Sequence, residues 1–317
     1  MGNNRVRYID AAKGLGILLV MLGHSISRLG QPVNTFILSF HMPLFFFVAG
    51  LLFYSRDIEH ENFVDFIKKK AIVTIYPLIV LSVLQLLGDF VSYAIVNKNG
   101  LEQINLLAVF WHWFIITYFC MELLCWLIIK YSRTNWMKLI VLGILFSLFF
   151  ICDGVLLVQQ TMAASVFCIT GFFLRPIIDK HKEKITKYGG GIALLIICAF
   201  FSTLNDPIGM YINQYGNRFL FFFVALIGIL GTICISFRFE SSEILLYFGR
   251  NSIMFYATHF FTLRVIKAFL VRMVGSDDFS VYPLFLLAYM ILIPAETTIV
   301  WFINKKTPWM FGKKTIS

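Results

Sequence analysis

The sequence has few charged residues and no long polar stretch. Charged side chains make up 14% of the 317 residues, whereas soluble globular proteins carry about 25%. Apolar residues make up 59% of the chain. No soluble domain of useful size remains between the apolar runs. The composition therefore argues against an ordinary soluble enzyme and predicts a single membrane domain over residues 1–317.

Acidic residues are also scarce, 17 against 27 lysines and arginines, which gives a formal net charge of +10. Basic residues in every inner loop are what membrane topology requires, so we do not expect nucleic acid as a partner. The six cysteines lie within or at the ends of apolar runs, and no pair has the spacing of a metal site. The sequence therefore predicts neither a metal nor a permanently bound cofactor.

Apolar runs of membrane-spanning length recur along the whole chain. About 20 apolar residues are needed to cross roughly 30 Å of hydrocarbon as a helix, so the runs predict an all-α, polytopic integral membrane protein. The first run continues to Arg28 without a cleavage site, and we do not expect a removable signal peptide. The ten predicted spans lie near residues 9–29, 34–54, 71–96, 105–129, 138–152, 155–174, 188–203, 218–236, 246–266 and 281–303.

The distribution of lysine and arginine predicts the orientation of these spans. With the N-terminus inside, most of the basic residues fall into the cytoplasmic connections, as the positive-inside rule requires. An even number of spans then places both termini in the cytoplasm.

Ionisable residues within the spans are the candidates for function, because they cost free energy in hydrocarbon unless they are paired or line a cavity. The sequence places nine such residues there: Asp10, Lys13, His24, His41, His112, Glu122, Arg250, His259 and Glu296.

The first span has a cation near one end and an imidazole near the other. Lys13 and His24 are eleven residues apart, which brings them to the same helix face about 16 Å apart along the axis. Asp10 lies one turn before Lys13, and we expect the two to form an ion pair. This helix also contains Gly14, Gly16 and Gly23, which allow close approach of a neighbouring helix or a ligand.

Several of these residues also have a purely structural interpretation. A lysine near a helix end extends its ammonium group to the membrane interface, and a single membrane histidine often only bonds a neighbouring helix. These interpretations stay open for Lys13, His112 and His259. Two histidines on adjacent spans at the same depth are harder to explain in this way, so we interpret His24 and His41 as a functional pair.

The segments RYIDAAKGLGILLVMLGHS and FHMPLFFFVAGLLF resemble the opening of the acyltransferase-3 family of bacterial membrane O-acyltransferases. The resemblance is greatest to the branch that acts on exopolysaccharide and capsule sugars, which includes the fucose 4-O-acetylase-like proteins. The family's motif of a basic residue, a ten-residue spacer and a histidine corresponds to Lys13 and His24. Its second motif corresponds to residues 41–46. Weaker similarities are FIKKKAIVTIYP, WHWFIITYF, ITGFFLRP and GRNSIMFYATH.

The resemblance implies a membrane O-acyltransferase, more narrowly an O-acetyltransferase, in the bacterial cytoplasmic membrane. Its donor substrate would be cytoplasmic acyl-CoA (acetyl-CoA), and its acceptor a hydroxyl of a cell-surface or exopolysaccharide sugar or of the lipid-linked precursor. Catalytic roles fall to His24 and His41. The residues implied in acyl-CoA binding are Lys13, Lys68, Lys69, Lys70 and Arg250. Supporting roles are implied for Asp10, Trp113, Asn251, Ser252, His259 and Glu296.

The resemblance is incomplete at the third span. Many family members have a paired-arginine motif there, whereas this chain has only Lys68, Lys69 and Lys70. We therefore expect Lys70 to make the basic contact with acyl-CoA.

The sequence does not decide which catalytic role each of the two histidines has. His24 suits the role of a base that takes the hydroxyl proton near pH 7, and it equally suits a transient acyl carrier. His41 would orient it or donate to an oxyanion. Two other functions are also open: a transporter or flippase for a lipid-linked sugar, with the same residues as a proton relay, and a sensor domain without catalysis.

Glu296 is the one acid in the last predicted span. Pro294 lacks an amide donor and crowds the preceding turn, so we expect a kink beside it. An ionised Glu296 would need a cation, and Arg250 and Lys13 are the candidates. We therefore expect a structural partner at the donor entrance and not the catalytic acid.

Overall fold

The structure, a computed structural model, describes residues 6–26, 31–79, 81–83, 112–155, 157–188, 190–275 and 282–311. These residues are mostly helical, and β-pairing among them is limited to one isolated bridge between Gly209 and Gln214. The all-α prediction is confirmed.

Eleven α-helices make up most of the described part of the chain. In chain order they are α1 (Arg7–Ser25), α2 (Pro32–Tyr54), α3 (Phe63–Lys70), α4 (Trp113–Tyr131), α5 (Asn135–Ile151), α6 (Val158–Tyr188), α7 (Gly191–Ser202), α8 (Arg218–Arg238), α9 (Glu243–Arg250), α10 (Ser252–Val274) and α11 (Tyr282–Lys306). Helix α3 continues into a π-helical turn at Ala71–Ile75.

Helices α1 and α2 form the centre of the bundle. Helix α1 packs against α2, α8, α9, α10 and α11, while α2 packs against α1, α6 and α8. Most of α2 is buried. Close packing with α6 depends on two glycines, because a methyl group on Gly50 would lie 1.8 Å from the Cys168 carbonyl oxygen and one on Gly171 would lie 2.2 Å from that of Phe47. Small residues of this kind let membrane helices approach at backbone distance.

Six helices of the described part are long and apolar enough to cross a membrane, namely α2, α4, α6, α8, α10 and α11. This is fewer than the ten predicted spans. The fifth and seventh predicted spans correspond to the shorter apolar helices α5 and α7. The first corresponds to α1, which contains Asp10 and Lys13. Residues 84–111, which contain much of the third predicted span and the start of the fourth, lie outside the described residues.

The ninth predicted span, 246–266, is wrong as a continuous helix. The chain leaves the helix at Asn251, with φ −113° and ψ 15°, so α9 ends at Arg250 and α10 begins at Ser252. The Asn251 side chain donates to the Tyr247 carbonyl at 2.8 Å and accepts from Asn304 of α11 at 3.0 Å. A side chain that bonds the preceding turn in this way competes with the helical hydrogen bonds.

Candidate functional site

Asp10 is the centre of the charged group at one end of α1, which we call the Lys13 end. Its carboxylate lies 2.6 Å from Lys13 Nζ, so the predicted ion pair is confirmed. The other carboxylate oxygen lies 3.7 Å from Arg250 Nε of α9. The structure therefore brings together two of the five predicted donor-binding cations around one acid.

Two glycines make this arrangement possible. A methyl group on Gly249 would lie 1.8 Å from the Asp10 carbonyl oxygen, and one on Gly14 would lie 2.3 Å from the Leu245 carbonyl oxygen. Helices α1 and α9 thus touch at backbone distance. This contact places Arg250 beside Asp10.

A second acid extends the charged group toward water. Glu243 at the start of α9 lies 3.5 Å from Arg250 and 2.6 Å from Arg7. The hydrogen bond and charge of Arg7, with a further contribution from Arg250, hold the pKa of Glu243 below its ordinary value. Arg250 therefore lies between two carboxylates.

His24 lies near the opposite end of α1, which we call the His24 end, and packs on α10. The ring centroid of His24 is 5.2 Å from that of His259 and 4.3 Å from that of Phe260. Lys267 Nζ donates to the backbone carbonyl of His24 at 3.1 Å. The His24 side chain is partly exposed, whereas His259 is fully buried.

The surroundings of His259 fix its tautomer. Its Nδ1 lies 2.9 Å from the Phe255 carbonyl oxygen and 2.8 Å from that of Tyr256. Carbonyl oxygens only accept, so Nδ1 carries the proton. The other ring nitrogen, Nε2, is buried and has no hydrogen-bond partner among the described residues. The site therefore presents the Nε2 lone pair of His259 beside His24.

His41 does not lie at the depth of His24, and this part of the prediction is wrong. The α1–α2 register places Gly23 beside Ile37 and Gly16 beside Leu44. His41 therefore lies opposite Leu19, five residues or about 8 Å from His24 along the axis. It remains within electrostatic range of His24. Its Nδ1 donates to the Ile37 carbonyl at 2.8 Å, so its Nε2 carries the lone pair.

The three lysines of α3 form a different group from Lys13 and Arg250. Lys70 forms an ion pair with the buried Glu122 of α4. Lys69 lies 3.5 Å from Glu61, whose carboxylate is also 2.8 Å from Arg56. Lys68 is exposed. The predicted donor cations are thus not all together: Lys13 and Arg250 lie around Asp10, Lys69 lies near Glu61, and Lys70 is paired with Glu122.

The prediction of a cation beside Glu296 is wrong, because the contacts of the Glu296 carboxylate are with hydroxyl groups. Glu296 is fully buried, and its Oε2 lies 2.5 Å from the Thr258 hydroxyl of α10. Arg250, the predicted partner, is bound to Asp10 and Glu243 instead. Helix α11 continues through Pro294 without interruption.

The other supporting residues lie around the site and not within it. Trp113 is the first residue of α4 and packs against Phe114, whose ring is 5.0 Å from that of Tyr256. Tyr256 in turn lies 5.9 Å from His259. Asn251 and Ser252 form the break between α9 and α10.

Two residues of α10, Phe260 and Lys267, contact His24, although neither was among the predicted site residues. They are seven residues apart, and this spacing returns them to nearly the same helix face. This spacing is visible in the sequence, but it does not show that the two side chains meet His24 of α1. The described residues contain no group of three or more His, Cys, Asp or Glu side chains that could hold a metal ion.

Comparison with known proteins identifies the family. Residues 6–304 match the acyltransferase-3 family, which is described as an acyltransferase domain. The chain belongs to the acyltransferase-3 family. No curated protein and no solved structure gave a significant match. Because the match covers α1 to most of α11 and six of the described helices are long and apolar enough to span a bilayer, the protein is a multi-pass membrane acyltransferase.

Proposed function

We propose that this acyltransferase is an O-acetyltransferase of the bacterial cytoplasmic membrane. It transfers the acyl group of cytoplasmic acetyl-CoA to a hydroxyl of a cell-surface or exopolysaccharide sugar or of its lipid-linked precursor. The observation that carries the proposal is the layout of α1, which has the cations Lys13 and Arg250 at one end and the imidazoles of His24 and His259 near the other.

The Lys13 end suits a donor with several phosphate charges. Two cations share one carboxylate at Asp10, and a second group of cations surrounds Glu61. Helices α1 and α2 are antiparallel, so the segment after α2 that holds Glu61 lies at the Lys13 end as well. Lysine and arginine in these positions can bind phosphate through charge-assisted hydrogen bonds. The long pantetheine arm would then extend along α1 toward His24.

The His24 end suits the transfer step. The acceptor hydroxyl must lose a proton when it attacks the acyl carbon, and a neutral imidazole can accept it. In the overall reaction the thioester C–S bond breaks, the ester C–O bond forms, and the proton ends on the CoA thiol. His24 and His41 supply neutral imidazoles at two depths along this path, and His259 supplies a third.

The proposal is tested by following labelled acetyl from acetyl-CoA into surface polysaccharide. Membranes that contain the wild-type protein should label the polymer, whereas membranes with His24→Ala should lose at least about 10²–10⁴-fold in rate, since a general base alone contributes that much. A transporter or sensor would not label the polymer at all. Normal labelling by a well-expressed His24→Ala protein would contradict the role of His24.

The acceptor is tested separately by mass spectrometry. Surface polysaccharide from cells with and without the protein should differ by acetyl groups on sugar hydroxyls. An identical acetylation pattern, together with labelling of another molecule, would contradict the sugar acceptor while leaving the acyltransferase intact.

A further inference from the structure

We propose that His24 carries the acyl group covalently and that His259 is the base which then takes the proton from the acceptor hydroxyl. This inference rests on the proposed O-acyltransferase function and adds an acyl-enzyme intermediate and a catalytic role for His259.

The two imidazoles differ in how firmly they are held. His259 is fully buried, and its Nδ1–H is directed at two carbonyl oxygens. Its unpartnered Nε2 therefore has a fixed direction. The described contacts of the His24 ring are with two other rings and include no hydrogen bond. His24 is thus the ring that is partly exposed and free to approach a substrate, and His259 is the fixed base beside it.

The positions of the two substrates favour a carrier. The donor phosphates bind at the Lys13 end, about 16 Å from His24 along α1, and a surface sugar approaches from the other side. Direct transfer would require both substrates to occupy the histidine site at the same time. A covalent intermediate divides the reaction into two steps, so that the CoA thiol leaves before the sugar arrives.

His259 suits the second step better than His41 does. The ring of His259 is in contact with that of His24, whereas His41 lies about 8 Å nearer the Lys13 end by the α1–α2 register. His41 is therefore on the donor side of His24. Among the described histidines, His259 is the one whose ring contacts that of His24, so its Nε2 is the base we assign to an acyl group on His24.

The two steps balance without a further reactant. In the first, a ring nitrogen of His24 attacks the thioester carbonyl and the C–S bond breaks. The ring proton of His24 passes to the CoA thiolate, which leaves as the thiol. In the second, the acceptor oxygen attacks the acyl carbon while His259 Nε2 takes its proton. The C–N bond breaks, and the proton passes from His259 to the released nitrogen of His24.

The test uses the purified full-length protein with labelled acetyl-CoA and no acceptor. The wild-type protein should release CoA thiol in a rapid burst of about one per chain and retain the same amount of label. Addition of surface polysaccharide, stripped of its esters by mild base, should transfer that label to the polymer. Hydroxylamine should remove it as well, because an acyl-imidazole is a reactive acyl donor.

Three variants assign the steps to residues. His24→Gln should lose both the burst and the transfer. His259→Gln should keep the burst and the bound label but transfer it about 10²–10⁴-fold more slowly. The control is His60→Gln, because His60 lies in the loop after α2 and its side chain is 82% exposed. It should behave like the wild type.

The failures of the two proposals are distinguishable. A wild-type protein that labels the polymer without a burst and without bound acetyl would overturn the carrier while the O-acyltransferase function stands. Normal transfer by His259→Gln would overturn the role of His259. If the wild-type protein labels no polymer, the proposed function itself is wrong.

Discussion

Single side chains among the predicted donor-binding residues differ in whether a neighbouring carboxylate fully balances their charge. The side chains of Lys70 and Glu122 are 20% and 3% exposed and form a one-to-one ion pair, so their charges cancel. At Asp10, two cations share one carboxylate, and Glu243 is shared between Arg250 and Arg7. A positive charge is left over at the Lys13 end of α1. We therefore assign the donor contact to Lys13 and Arg250, and a structural role to Lys70.

The first prediction concerns Lys70. Lys70→Met should leave Glu122 buried and unpaired, and removing one partner of a buried ion pair typically costs about 3–5 kcal/mol. The melting temperature in detergent should fall, while the KM for acetyl-CoA of the surviving protein should change little. The double variant Lys70→Met/Glu122→Gln removes both charges and should recover much of the melting temperature. A stable Lys70→Met protein with a raised KM would return Lys70 to the donor site.

The second prediction concerns Lys267. The His24 carbonyl is among the last four of α1, which have no partner within the helix, and Lys267 binds it. Without this bond the end of α1 should shift. A displacement of about 1 Å can reduce the rate by about 10²-fold. Lys267→Met should therefore lower kcat while the KM for acetyl-CoA stays unchanged.

Two further variants separate positioning from general charge effects at Lys267. Lys267→Arg keeps a donor of similar reach and should restore most of the kcat. Arg272→Met removes a cation from the last turn of the same helix and should have no such effect. Equal losses in Lys267→Met and Arg272→Met would show that only the charge of α10 matters.

Between elements, the contact of α1 with α9 decides where Arg250 lies. The third prediction is that Gly249→Ala separates the two helices, because its methyl group would lie 1.8 Å from the Asp10 carbonyl oxygen. Overpacking of this kind costs about 1–3 kcal/mol. The variant should melt earlier and have a raised KM for acetyl-CoA, since Arg250 moves away from Asp10.

The matched control for this glycine is Gly143 of α5. A methyl group there meets no atom within 4 Å, so Gly143→Ala should be neutral or slightly stabilising through helix propensity. If Gly249→Ala is as harmless as Gly143→Ala, the α1–α9 contact is looser than the structure indicates.

Local relations were predictable from the sequence, whereas contacts between distant helices were not. The Asp10–Lys13 pair follows from i,i+3 spacing on one helix. The proximity of His24 to His259 depends on how α10 packs against α1, and no local pattern contains that information. The depth predicted for His41 was wrong for the same reason, since the register of α1 and α2 is set by packing at Gly16 and Gly23.

Helix breaks were also difficult to predict, and the two cases differ physically. Asn251 interrupts a long apolar stretch because its side chain bonds the Tyr247 carbonyl, although Gly, Asn and Ser residues close together, as at 249–252, are a recognised signal for a helix boundary. Pro294 was expected to kink α11, and this kink stays a prediction; the helix is continuous through Pro294, since membrane helices tolerate proline where neighbouring groups satisfy the freed backbone. The cation predicted for Glu296 was wrong because that prediction considered charge and not the Thr258 hydroxyl on the facing helix.

For the whole molecule, the bundle has two chemically different ends. The Lys13 end carries Arg7, Lys182 and Glu240 around an open cleft of about 570 Å³, together with the cations near Glu61. At the other end, the start of α8 is tied to the turn after α5 by the pair of Arg218 and Asp153. A concentration of basic residues at one end is what the positive-inside rule associates with the cytoplasmic side. The proposed reaction therefore has a direction, from acetyl-CoA at the Lys13 end to the sugar at the His24 end.

The fourth prediction tests this direction with sealed membrane vesicles. A reporter cysteine is introduced at Ser241, beside the cleft of the Lys13 end, or at the exposed Asp206 before α8, each in a protein whose native cysteines that are not buried, Cys120, Cys152 and Cys234, are changed to serine. An impermeant maleimide should label Ser241→Cys only in inside-out vesicles and Asp206→Cys only in right-side-out ones. Acetyl-CoA added from outside should likewise support transfer only in inside-out vesicles, since its phosphates cannot cross the bilayer.

Two outcomes would contradict this prediction. If labelling and donor use both show the opposite sidedness, the orientation is reversed. If donor use occurs from the side of Asp206, acetyl-CoA does not bind at Lys13 and Arg250.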